Sequence, residues 1–374
     1  MKPRILYVIT RAEMGGGQTH VADLMDGFRH FMDVHLVTGE RGYLTEAAEA
    51  MGAGVHVIPS LVHPMNPIKD TAATMALASR FGRLRPALVH AHTSKAGLLA
   101  RMAAAVRGTP SVFTAHTWCF AEGTSKLWHA IGTPLERAAS RLCRKIITVS
   151  EANRALAIEQ GIPAGKIQTV HNGIADSPER AVPESDSGPI RILMAARFVR
   201  QKDHATLLKA AATLNRPVEV LLAGDGPLRG SMERLAAELG VGASLRFLGD
   251  RRDVNRLLAS AHIFALPSRW EGFPISILEA MRAGLPVIAS DVGGVREAVT
   301  ASTGFVVKPG DDGDFAEKLG ALVQSPELRG RLGRAARISY ERNFTRKTMI
   351  ERTLAVYRES VAASRNPVPE GWPS

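Results

Sequence analysis

Two glutamates beside a predicted helix start are the side chains in this chain best suited to chemistry. Glu271 and Glu279 stand in the segment EGFPISILEAM with seven residues between them, the first in a loop and the second inside the helix that follows. Ser276 is the predicted N-cap of this helix, and Gly284 with Pro286 is predicted to end it. A helix start favours anions, because its N–H groups lack partners and its dipole is positive there. A phosphate between two carboxylates that accept hydrogen bonds from hydroxyl groups corresponds to a sugar nucleotide.

Two cations follow a predicted strand in the same half of the chain. Arg197 and Lys202 lie just beyond the apolar run 189–195, at the carboxyl end of a strand, where ligands of open sheets bind. Charge-assisted hydrogen bonds from such groups contribute about 1.5 to 3 kcal/mol each. The pair therefore suits a phosphate, and a solvated basic loop is the alternative.

Histidines end two predicted strands in the first half. His116 follows the strand SVFTA, and His92 closes the strand before it in the segment HAHTSKAG. A helix is predicted from about Ser94. We expect Ser94, Lys95 and this helix start to bind a phosphate, because anions suit that position. A capping serine beside a solvated lysine is the alternative for this segment, as a structural histidine is for His116.

Length and charge limit the possible classes of protein. The chain has 374 residues, more than one hydrophobic core usually serves, so two domains are expected. Lys and Arg number 47 against 36 Asp and Glu, and the formal charge of +11 favours anionic partners, with a generally basic proteome as the alternative cause. Aromatic residues make up only 5%, which disfavours stacking on single strands, and no nucleic-acid motif is recognisable. We expect no nucleic-acid partner.

Cysteine usage and the N-terminal segment indicate the compartment. The two cysteines, Cys119 and Cys143, form no metal-type pairing and no disulfide framework, which indicates a reducing environment. The N-terminal apolar run is brief and Arg11 follows it, so this run is predicted to be a first strand rather than a signal peptide. No segment approaches the length of a membrane-spanning helix. A cytoplasmic protein is expected, in which any membrane contact is peripheral.

Short apolar runs alternate with helical patterns, which predicts parallel sheets wrapped by helices. The strand series restarts at PIRILMA, residues 189–195, which is similar to PRILYVI, residues 3–9, so two doubly wound domains are expected. We predict an N-terminal domain (1–175), a linker rich in Pro and Ser (176–188) and a C-terminal domain (189–345). A final helix, a candidate for packing back on the N-terminal domain, and a frayed tail make up residues 346–374.

Residues 117–145 combine large apolar side chains with basic ones. The apolar residues are Trp118, Phe120, Leu127, Trp128 and Ile131, and the basic residues are Lys126, Arg137, Arg141, Arg144 and Lys145. A helix of this composition suits an anionic lipid surface, and ordinary core packing would bury the same stripe. Both interpretations stay open from the sequence.

With the two glutamates, the restarted strand series and the loops described above, the chain resembles the retaining glycosyltransferases of family 4. The resemblance covers nearly the whole length, and EGFPISILEAM is its most specific part. It implies the α/β fold called GT-B, with two Rossmann-like domains facing a central cleft. The implied reaction transfers a sugar from a nucleotide-diphosphate donor to a hydroxyl, with retention at the anomeric carbon. No metal or other cofactor is expected, since Arg197 and Lys202 can neutralise the diphosphate and no compact Asp/His cluster is recognisable.

The resemblance also implies roles for individual residues: Glu271 faces the sugar, Glu279 faces the ribose, and His116 makes an acceptor contact near the reacting carbon. The implied catalytic residues are Glu271, His116, Arg197 and Lys202. The implied donor contacts are Gly16, Gly17, Arg197, Lys202, Gly224, Leu248, Phe273, Ile275, Ser276 and Glu279. The expected acceptor contacts are His116, Ser94, Lys95 and His20.

The chain departs from the family at three positions. Ala196, Asp203 and Thr117 stand where family members usually have glycine beside the phosphate-binding cations or after the histidine. The segments TAHTWCFAEG and HTSKAG are similar to those of bacterial enzymes that build exopolysaccharide, capsule or lipopolysaccharide. We therefore expect a lipid-linked saccharide acceptor, with UDP-sugar favoured over GDP-sugar as the donor. An epimerase or a phosphorylase of the same architecture and a non-catalytic nucleotide-sugar-binding protein are the alternatives.

Overall fold

The chain forms two compact units, each built on one parallel sheet. The computed structural model describes residues 2–363 and Trp372. Unit 1 comprises the chain up to Gly173 together with the segment that begins at Arg346, and unit 2 runs from Ile174 to Thr345.

Unit 1 contains a seven-stranded sheet with the order β3-β2-β1-β4-β5-β6-β7. Its strands are β1 (Arg4–Val8), β2 (Asp33–Thr38), β3 (Gly54–Val57), β4 (Leu88–His92), β5 (Ser111–Ala115), β6 (Lys145–Thr148) and β7 (Ile167–Thr169). Its helices are α1 (Gly16–Phe28), α2 (Tyr43–Ala50), α3 (Pro67–Leu84), α4 (Ser94–Arg107), α5 (Lys126–Ser140), α6 (Glu151–Glu159) and, from the end of the chain, α14 (Arg346–Ala362).

Unit 2 contains a six-stranded sheet with the order β10-β9-β8-β11-β12-β13. Its strands are β8 (Ile190–Ala195), β9 (Val218–Ala223), β10 (Leu245–Gly249), β11 (Ile263–Leu266), β12 (Val287–Ser290) and β13 (Gly304–Val307). Its helices are α7 (His204–Ala212), α8 (Arg229–Glu238), α9 (Val254–Ser260), α10 (Ile275–Ala283), α11 (Val295–Ala298), α12 (Asp312–Gln324) and α13 (Pro326–Asn343).

In both sheets the strand order reverses beside the first strand. β1 lies between β2 and β4, and β8 lies between β9 and β11. All these neighbours are parallel, so the carboxyl ends of the strands lie at one edge. Crevices at such switch points are where open α/β sheets bind ligands. The loops after β1, β4, β8 and β11 are therefore where functional side chains are expected.

The expectation of two doubly wound domains is confirmed. The runs 3–9 and 189–195, from which the restart was inferred, form β1 and β8, and the run SVFTA forms β5. The predicted frayed tail lies outside the described residues, Trp372 excepted. None of the helices in the described part of the chain combines the length and the apolar character needed to cross a lipid bilayer.

The predicted linker, residues 176–188, is attached to unit 2 by hydrogen bonds. Arg329 of α13 is fully buried and donates to the carbonyl oxygens of Pro183 (2.6 Å) and Ser185 (3.1 Å). The Arg337 guanidinium lies 2.6 Å from Asp176 and holds the pKa of that carboxyl well below its usual range. The segment is therefore part of the packed structure of unit 2, because its carbonyl groups satisfy a buried cation.

The sheet of unit 1 is buried on both faces, as its nearly continuous apolar strands require. One face packs against α3 and α4 around Phe81 and Phe113. The other face packs against α1 and α14, where the rings of Phe28 and Tyr357 are 5.1 Å apart. The C-terminal helix thus completes the core of the unit that contains the N-terminus.

A buried hydrogen-bond chain fixes α14 to this sheet. The Tyr357 hydroxyl donates to the Tyr7 hydroxyl (3.2 Å) and lies 2.6 Å from Nδ1 of His90. Nε2 of His90 lies 2.7 Å from the Thr114 hydroxyl, and all four residues are buried. The single O–H of Tyr357 is used in the hydrogen bond to Tyr7, so the Tyr357 oxygen can only accept from His90. His90 therefore carries its proton on Nδ1 and accepts a hydrogen bond from Thr114 at Nε2.

Replacing Tyr357 by Phe should destabilise unit 1. The change leaves the buried Nδ1–H of His90 without an acceptor, and we expect the free energy of unfolding to fall by about 1 to 3 kcal/mol. Urea denaturation followed by tryptophan fluorescence measures this, since three of the four tryptophans, including buried Trp118, lie in unit 1. Tyr340→Phe, which removes one hydrogen bond to Ile174 in unit 2, is the matched control. An unchanged unit 1 transition in Tyr357→Phe would contradict the role of this chain of bonds.

Candidate active site

Glu271 follows β11 in unit 2, and its carboxylate is held by three side chains. The side chain is only 6% exposed and forms an ion pair with Lys202. The Ser268 hydroxyl donates to Oε1 (2.8 Å), and the Gln201 amide donates to Oε2 (3.4 Å). The same Gln201 amide reaches the carbonyl oxygen of Trp270 at 2.9 Å. Residues after β8 and after β11, the two strands at the switch point, are thereby joined around one carboxylate.

A third strand end also supports this loop. The Ser290 hydroxyl at the end of β12 accepts from the Ser268 N–H (3.1 Å), and Gly294 N–H donates to the Gly272 carbonyl (2.8 Å). Gly293 has φ +52°, and a Cβ at this position would overlap the carbonyl oxygen of Glu271. Only glycine meets both conditions without strain. Gln201, Ser290 and Gly293 thus position Glu271, and none of them was predicted as a site residue.

Arg197 lies just after β8 and is exposed. No hydrogen bond or ion pair involves its side chain among the described residues, in contrast to Lys202. Its backbone is fixed by the turn after β9, because Ala196 N–H donates to Ala223 and Phe198 N–H donates to Asp225, each at 2.9 Å. The structure thus provides one engaged cation and one free cation at this strand end.

Gly224 and Gly226 make the fixation of Arg197 possible. Both have positive φ, and a Cβ on either would overlap the carbonyl oxygen of Ala196 or of Phe198. Their observed role is the close approach of two loops, which supports the cation. Leu248 is partly exposed in β10, the edge strand beside β9.

Asp203 occupies a glycine-like conformation. It is one of three described non-glycine residues with positive φ, at +26°, and its carboxylate lies 3.3 Å from Arg269. Asp tolerates left-handed backbone better than most residues do, because its short side chain can bond locally. Asp203 therefore adopts a positive φ of the kind that glycine, the usual family residue at this position, adopts readily.

The helix α10 begins two residues earlier than predicted. Its N-cap is Pro274, so the prediction that Ser276 caps it is wrong; Ser276 lies in the first turn with Ile275. Proline offers no side-chain acceptor, so the first N–H groups of α10 receive no side-chain cap. Phe273, just before the helix, is buried. The predicted end at Gly284 is confirmed, with φ +86°.

Glu279 lies one turn into α10 and is partly buried. Burial raises the pKa of its carboxyl, and nearby Arg282 opposes this shift. The carboxylate has no hydrogen-bond or ion-pair partner within the described residues. Partly buried acids without partners commonly meet a ligand or water, so Glu279 fits a contact with hydroxyl groups.

In unit 1 the residues predicted for the acceptor side meet at the carboxyl edge of β4 and β5. His116 lies after β5, and its ring contacts that of His20 from α1 edge-to-face, with centroids 4.8 Å apart. Gly16 and Gly17 form the first turn of α1, and neither has positive φ. A Cβ on Gly17 would lie 3.5 Å from the His116 ring, an ordinary van der Waals distance. The first turn of α1 therefore lies directly beside the imidazole.

The histidines at this edge are uncharged at neutral pH. Burial lowers the pKa of His116 to about 4, and burial together with the neighbouring histidines lowers the pKa of His20 and of His92 well below the usual value. The amide of Asn153 lies 3.3 Å from the His116 carbonyl oxygen and donates to it. Neutral imidazoles can donate or accept a hydrogen bond but add no charge to bind a phosphate.

Lys95 is engaged elsewhere. Its ammonium group is 7% exposed, lies 2.5 Å from the Asp70 carboxylate and donates to the Pro64 carbonyl. Neither the predicted phosphate contact of Lys95 nor the alternative of a solvated lysine included Asp70, which comes from α3. Ser94 begins α4 as predicted, behind Thr93, a β-branched residue at φ +65°. Such a conformation costs of order 1 to 3 kcal/mol and is typical of functional sites.

The apolar stripe of residues 117–145 is divided between core and surface. Trp118 and Phe120 are buried in the core of unit 1, which contradicts their inclusion in a lipid-facing stripe. Leu127 of α5 is 71% exposed, and Ile131 with Leu135 continues the exposed row at intervals of four residues. Exposed Lys126 and Arg137 lie on the same helix.

Substitution of Gly293 tests how Glu271 is positioned. Gly293→Ala and Gly310→Ala both place alanine at positive φ, which costs about 1 to 2 kcal/mol, but only the first adds overlap with a carbonyl oxygen, since Gly310 has open space around it. We expect Gly293→Ala to lower the free energy of unfolding by at least about 1 kcal/mol more than Gly310→Ala does, as measured in urea. Equal losses would show that the backbone after β12 does not brace the Glu271 loop.

Two family models match adjacent parts of the chain. The model of "Glycosyltransferase Family 4" matches residues 14–177, and the model of "Glycosyl transferases group 1" matches residues 176–339. EpsD of Bacillus subtilis (strain 168) is 30% identical over 290 residues, which cover 72% of this chain and 76% of EpsD. The UDP-Gal:alpha-D-GlcNAc-diphosphoundecaprenol alpha-1,3-galactosyltransferase of Escherichia coli is 27% identical over 308 residues, covering 77% of this chain and 79% of that protein.

Solved structures match the fold over almost the full length. The crystal structure of Anabaena Alr3699/HepE in complex with UDP and glucose has a TM-score of 0.82 at 20% identity, and the match covers 95% of this chain and 99% of HepE. The apo form of the lipopolysaccharide outer core galactosyltransferase WaaB has a TM-score of 0.75 at 18% identity, with the match covering 95% of this chain and 99% of WaaB. Together with the sheets and site residues described above, these matches show that the chain is a glycosyltransferase of family 4, group 1, with the GT-B fold.

Proposed function

We propose that this glycosyltransferase transfers a sugar from a UDP-sugar to a hydroxyl of a lipid-linked saccharide in the synthesis of a cell-surface polysaccharide. The anomeric configuration is retained, and no metal takes part. The observation that carries the proposal is the nearly buried pair of Lys202 and Glu271, which lies at the switch point of unit 2 next to the free cation Arg197. Cations that can bind a phosphate and a carboxylate that can bind hydroxyl groups thus lie together at the carboxyl edge of one sheet.

The donor diphosphate binds to Arg197, Lys202 and the start of α10. Negative charge accumulates on the leaving phosphate as the glycosidic bond breaks, and preorganised cations lower the barrier to that step. The uncapped N–H groups of α10 add donors of the right polarity. Glu279, one turn further on, accepts hydrogen bonds from the ribose hydroxyls, which supplies the partner that its carboxylate lacks.

Glu271 orients the sugar rather than attacking it. Three donors hold its carboxylate, which suits a group that must keep one position while it accepts a hydrogen bond from a sugar hydroxyl. The acceptor hydroxyl oxygen forms its bond to the anomeric carbon on the face from which the diphosphate oxygen departs. The hydroxyl proton passes to that departing oxygen, so no free charge is left over.

The acceptor contacts unit 1 at the edge that carries His116. A neutral imidazole can accept a hydrogen bond from a hydroxyl group or donate one to it, and burial keeps His116 neutral. A relative with diphosphoundecaprenol in its name supports a lipid-linked acceptor, and the complexes of HepE with UDP support the choice of UDP over GDP. The acceptor phosphate lies at the start of α4, where Ser94 is available and Lys95 is shared with Asp70.

Cysteine chemistry and the α5 surface support a location at the inner face of the cytoplasmic membrane. Cys119 and Cys143 are both free and buried, which suits a reducing compartment. The row of Leu127, Ile131 and Leu135 beside basic residues suits peripheral contact with anionic lipid. The net charge of the chain favours the same surface.

Glu271→Gln tests the proposed catalysis. It keeps the size of the side chain but removes the charge that orients the sugar, so we expect kcat to fall by about 100-fold or more while the Kd for UDP stays close to that of the unchanged protein. Transfer is measured from a panel of UDP- and GDP-sugars to a diphosphoundecaprenol-linked saccharide, and the configuration of the product by NMR. Glu233→Gln, which removes an exposed ion pair with Arg229 in unit 2, is the control and should leave kcat unchanged.

Three outcomes of this assay would reject the proposal. Epimerisation or hydrolysis of the donor at the same rate without acceptor would indicate an epimerase or a hydrolase. Full biological activity of Glu271→Gln would indicate a binding protein. Failure of every nucleotide sugar to raise the thermal unfolding midpoint would remove the donor site.

Flotation with lipid vesicles tests the membrane contact. We expect the protein to float with vesicles that contain anionic phospholipid and to stay unbound with neutral ones, because both apolar and basic side chains contribute. Leu127→Asp combined with Ile131→Asp should abolish flotation. Ile338→Asp, at an equally exposed isoleucine of unit 2, should not. Flotation that survives the double substitution would exclude α5 as the contact.

A further inference from the structure

Three histidines of unit 1 converge at the carboxyl edge of its sheet. His20 comes from α1, His92 from the end of β4 and His116 from the residue after β5. One ring nitrogen of each lies within 4.8 Å of a ring nitrogen of the other two. No other group of three or more His, Cys, Asp or Glu residues in the described part of the chain has this metal-binding spacing.

The hydrogen bonds of these rings differ from those of a structural histidine. His90, two residues before His92 on the same strand, has both ring nitrogens bonded, to Tyr357 and to Thr114. Nε2 of His92 has no hydrogen-bond partner, although this residue is 0% exposed. Its Nδ1 faces Nε2 of His116 at 3.3 Å. Among the described residues, the one hydrogen-bond partner of the His92 ring is therefore another imidazole of this cluster.

The contact between His92 and His116 leaves the second ring nitrogen of His92 without a partner among the described residues. Neutral imidazole is the form that binds metal ions, because its lone pair is free. The ring nitrogens of His92 and His116 are already at the separation that two ligands of one tetrahedral ion require, about 3.3 Å for metal–nitrogen bonds of about 2.0 Å.

We propose that His20, His92 and His116 form a binding site for one transition-metal ion of the Zn²⁺ class. Imidazole ligands without a carboxylate or thiolate favour Zn²⁺, Ni²⁺ or Cu²⁺ over Mg²⁺ and Ca²⁺, which prefer oxygen. His20 and His92 are buried, and His116 is partly exposed, so the ion enters and keeps a water ligand on the side of His116. Three protein ligands and one water complete a tetrahedral coordination.

The bound ion inhibits glycosyl transfer. This consequence depends on the proposed function, in which His116 contacts the acceptor. A metal ion takes up the lone pair of the His116 ring and adds two positive charges beside the acceptor hydroxyl, so His116 can no longer accept a hydrogen bond from it. Catalysis proceeds in the metal-free protein, and Zn²⁺ acts as an inhibitor from the acceptor side.

Calorimetric titration of the tag-free protein with ZnCl₂, in the absence of nucleotide sugar, tests the site. We expect one Zn²⁺ per chain, with affinity reduced about tenfold or more in His20→Gln and in His92→Gln. His56→Gln is the control, because His56 and His35 form another histidine pair, with ring nitrogens 2.9 Å apart. No binding to the unchanged protein, unchanged affinity in either site variant, or an equal loss in the control would overturn the proposal.

A second measurement does not depend on whether the variants fold. X-ray absorption of the Zn²⁺-loaded unchanged protein should show three imidazole nitrogens at about 2.0 Å. Fewer than three would overturn the site. Zn²⁺ should suppress transfer and EDTA should restore it, and full transfer at saturating Zn²⁺ would overturn the inhibition alone. Absence of transfer in the metal-free protein would instead contradict the proposed function, while Zn²⁺ binding could still be measured.

Discussion

The arrangement of unit 2 around its switch point depends on keeping one carboxylate almost out of water. A charged group that is 6% exposed must be compensated by donors, or its burial is costly. For Glu271 the donors come from two strand ends, with Lys202 and Gln201 after β8 and Ser268 after β11. The glycine turn after β12 packs directly against the loop that carries Glu271, because no side chain fits between Gly293 and the Glu271 carbonyl. The loops at the carboxyl ends of three neighbouring strands, β8, β11 and β12, are thereby joined to one another.

At its own switch point, unit 1 has uncharged aromatic rings in place of charged side chains. It concentrates neutral rings where unit 2 concentrates charges, and the rings come from α1, β4 and β5. Two histidines of β4 have different roles, since both ring nitrogens of His90 are bonded within the core and one of those of His92 is not. Thr93, which has a strained positive φ, directly follows this strand. The carboxyl edge of this sheet thus keeps ring nitrogens that the rest of the described chain does not bond, whereas the side chains around Tyr7 and Tyr357 are bonded and packed against α14.

The local patterns were sufficient to predict the strands and the parallel sheets, since these follow from apolar periodicity. Glu271, Arg197 and Lys202 were named from one specific motif and one strand end, and their roles stay predictions. Contacts between distant segments were not predictable. The pairing of Lys95 with Asp70 needs the position of α3, and the support of Glu271 by Gly293 needs the curvature after β12. His20, His92 and His116 were each noticed, but their convergence depends on strand order, which a single sequence does not fix. The predicted N-cap of α10 was two residues too late, because serine is the commoner cap, whereas Pro274 is the cap here by backbone conformation alone.

The return of the chain to unit 1 through α14 has a consequence for biosynthesis. One face of the first sheet, with Met25, Phe28 and the Tyr7 hydroxyl, is covered by residues that the ribosome makes only after all of unit 2. Domains usually fold in the order of their synthesis, but here the earlier unit stays incomplete until the later one has been made. During that interval this apolar surface and His90, the partner of Tyr357, are accessible to water and to chaperones. Unit 1 can therefore complete its core only after α14 has been made, and a chain that stops at residue 345 leaves this face uncovered.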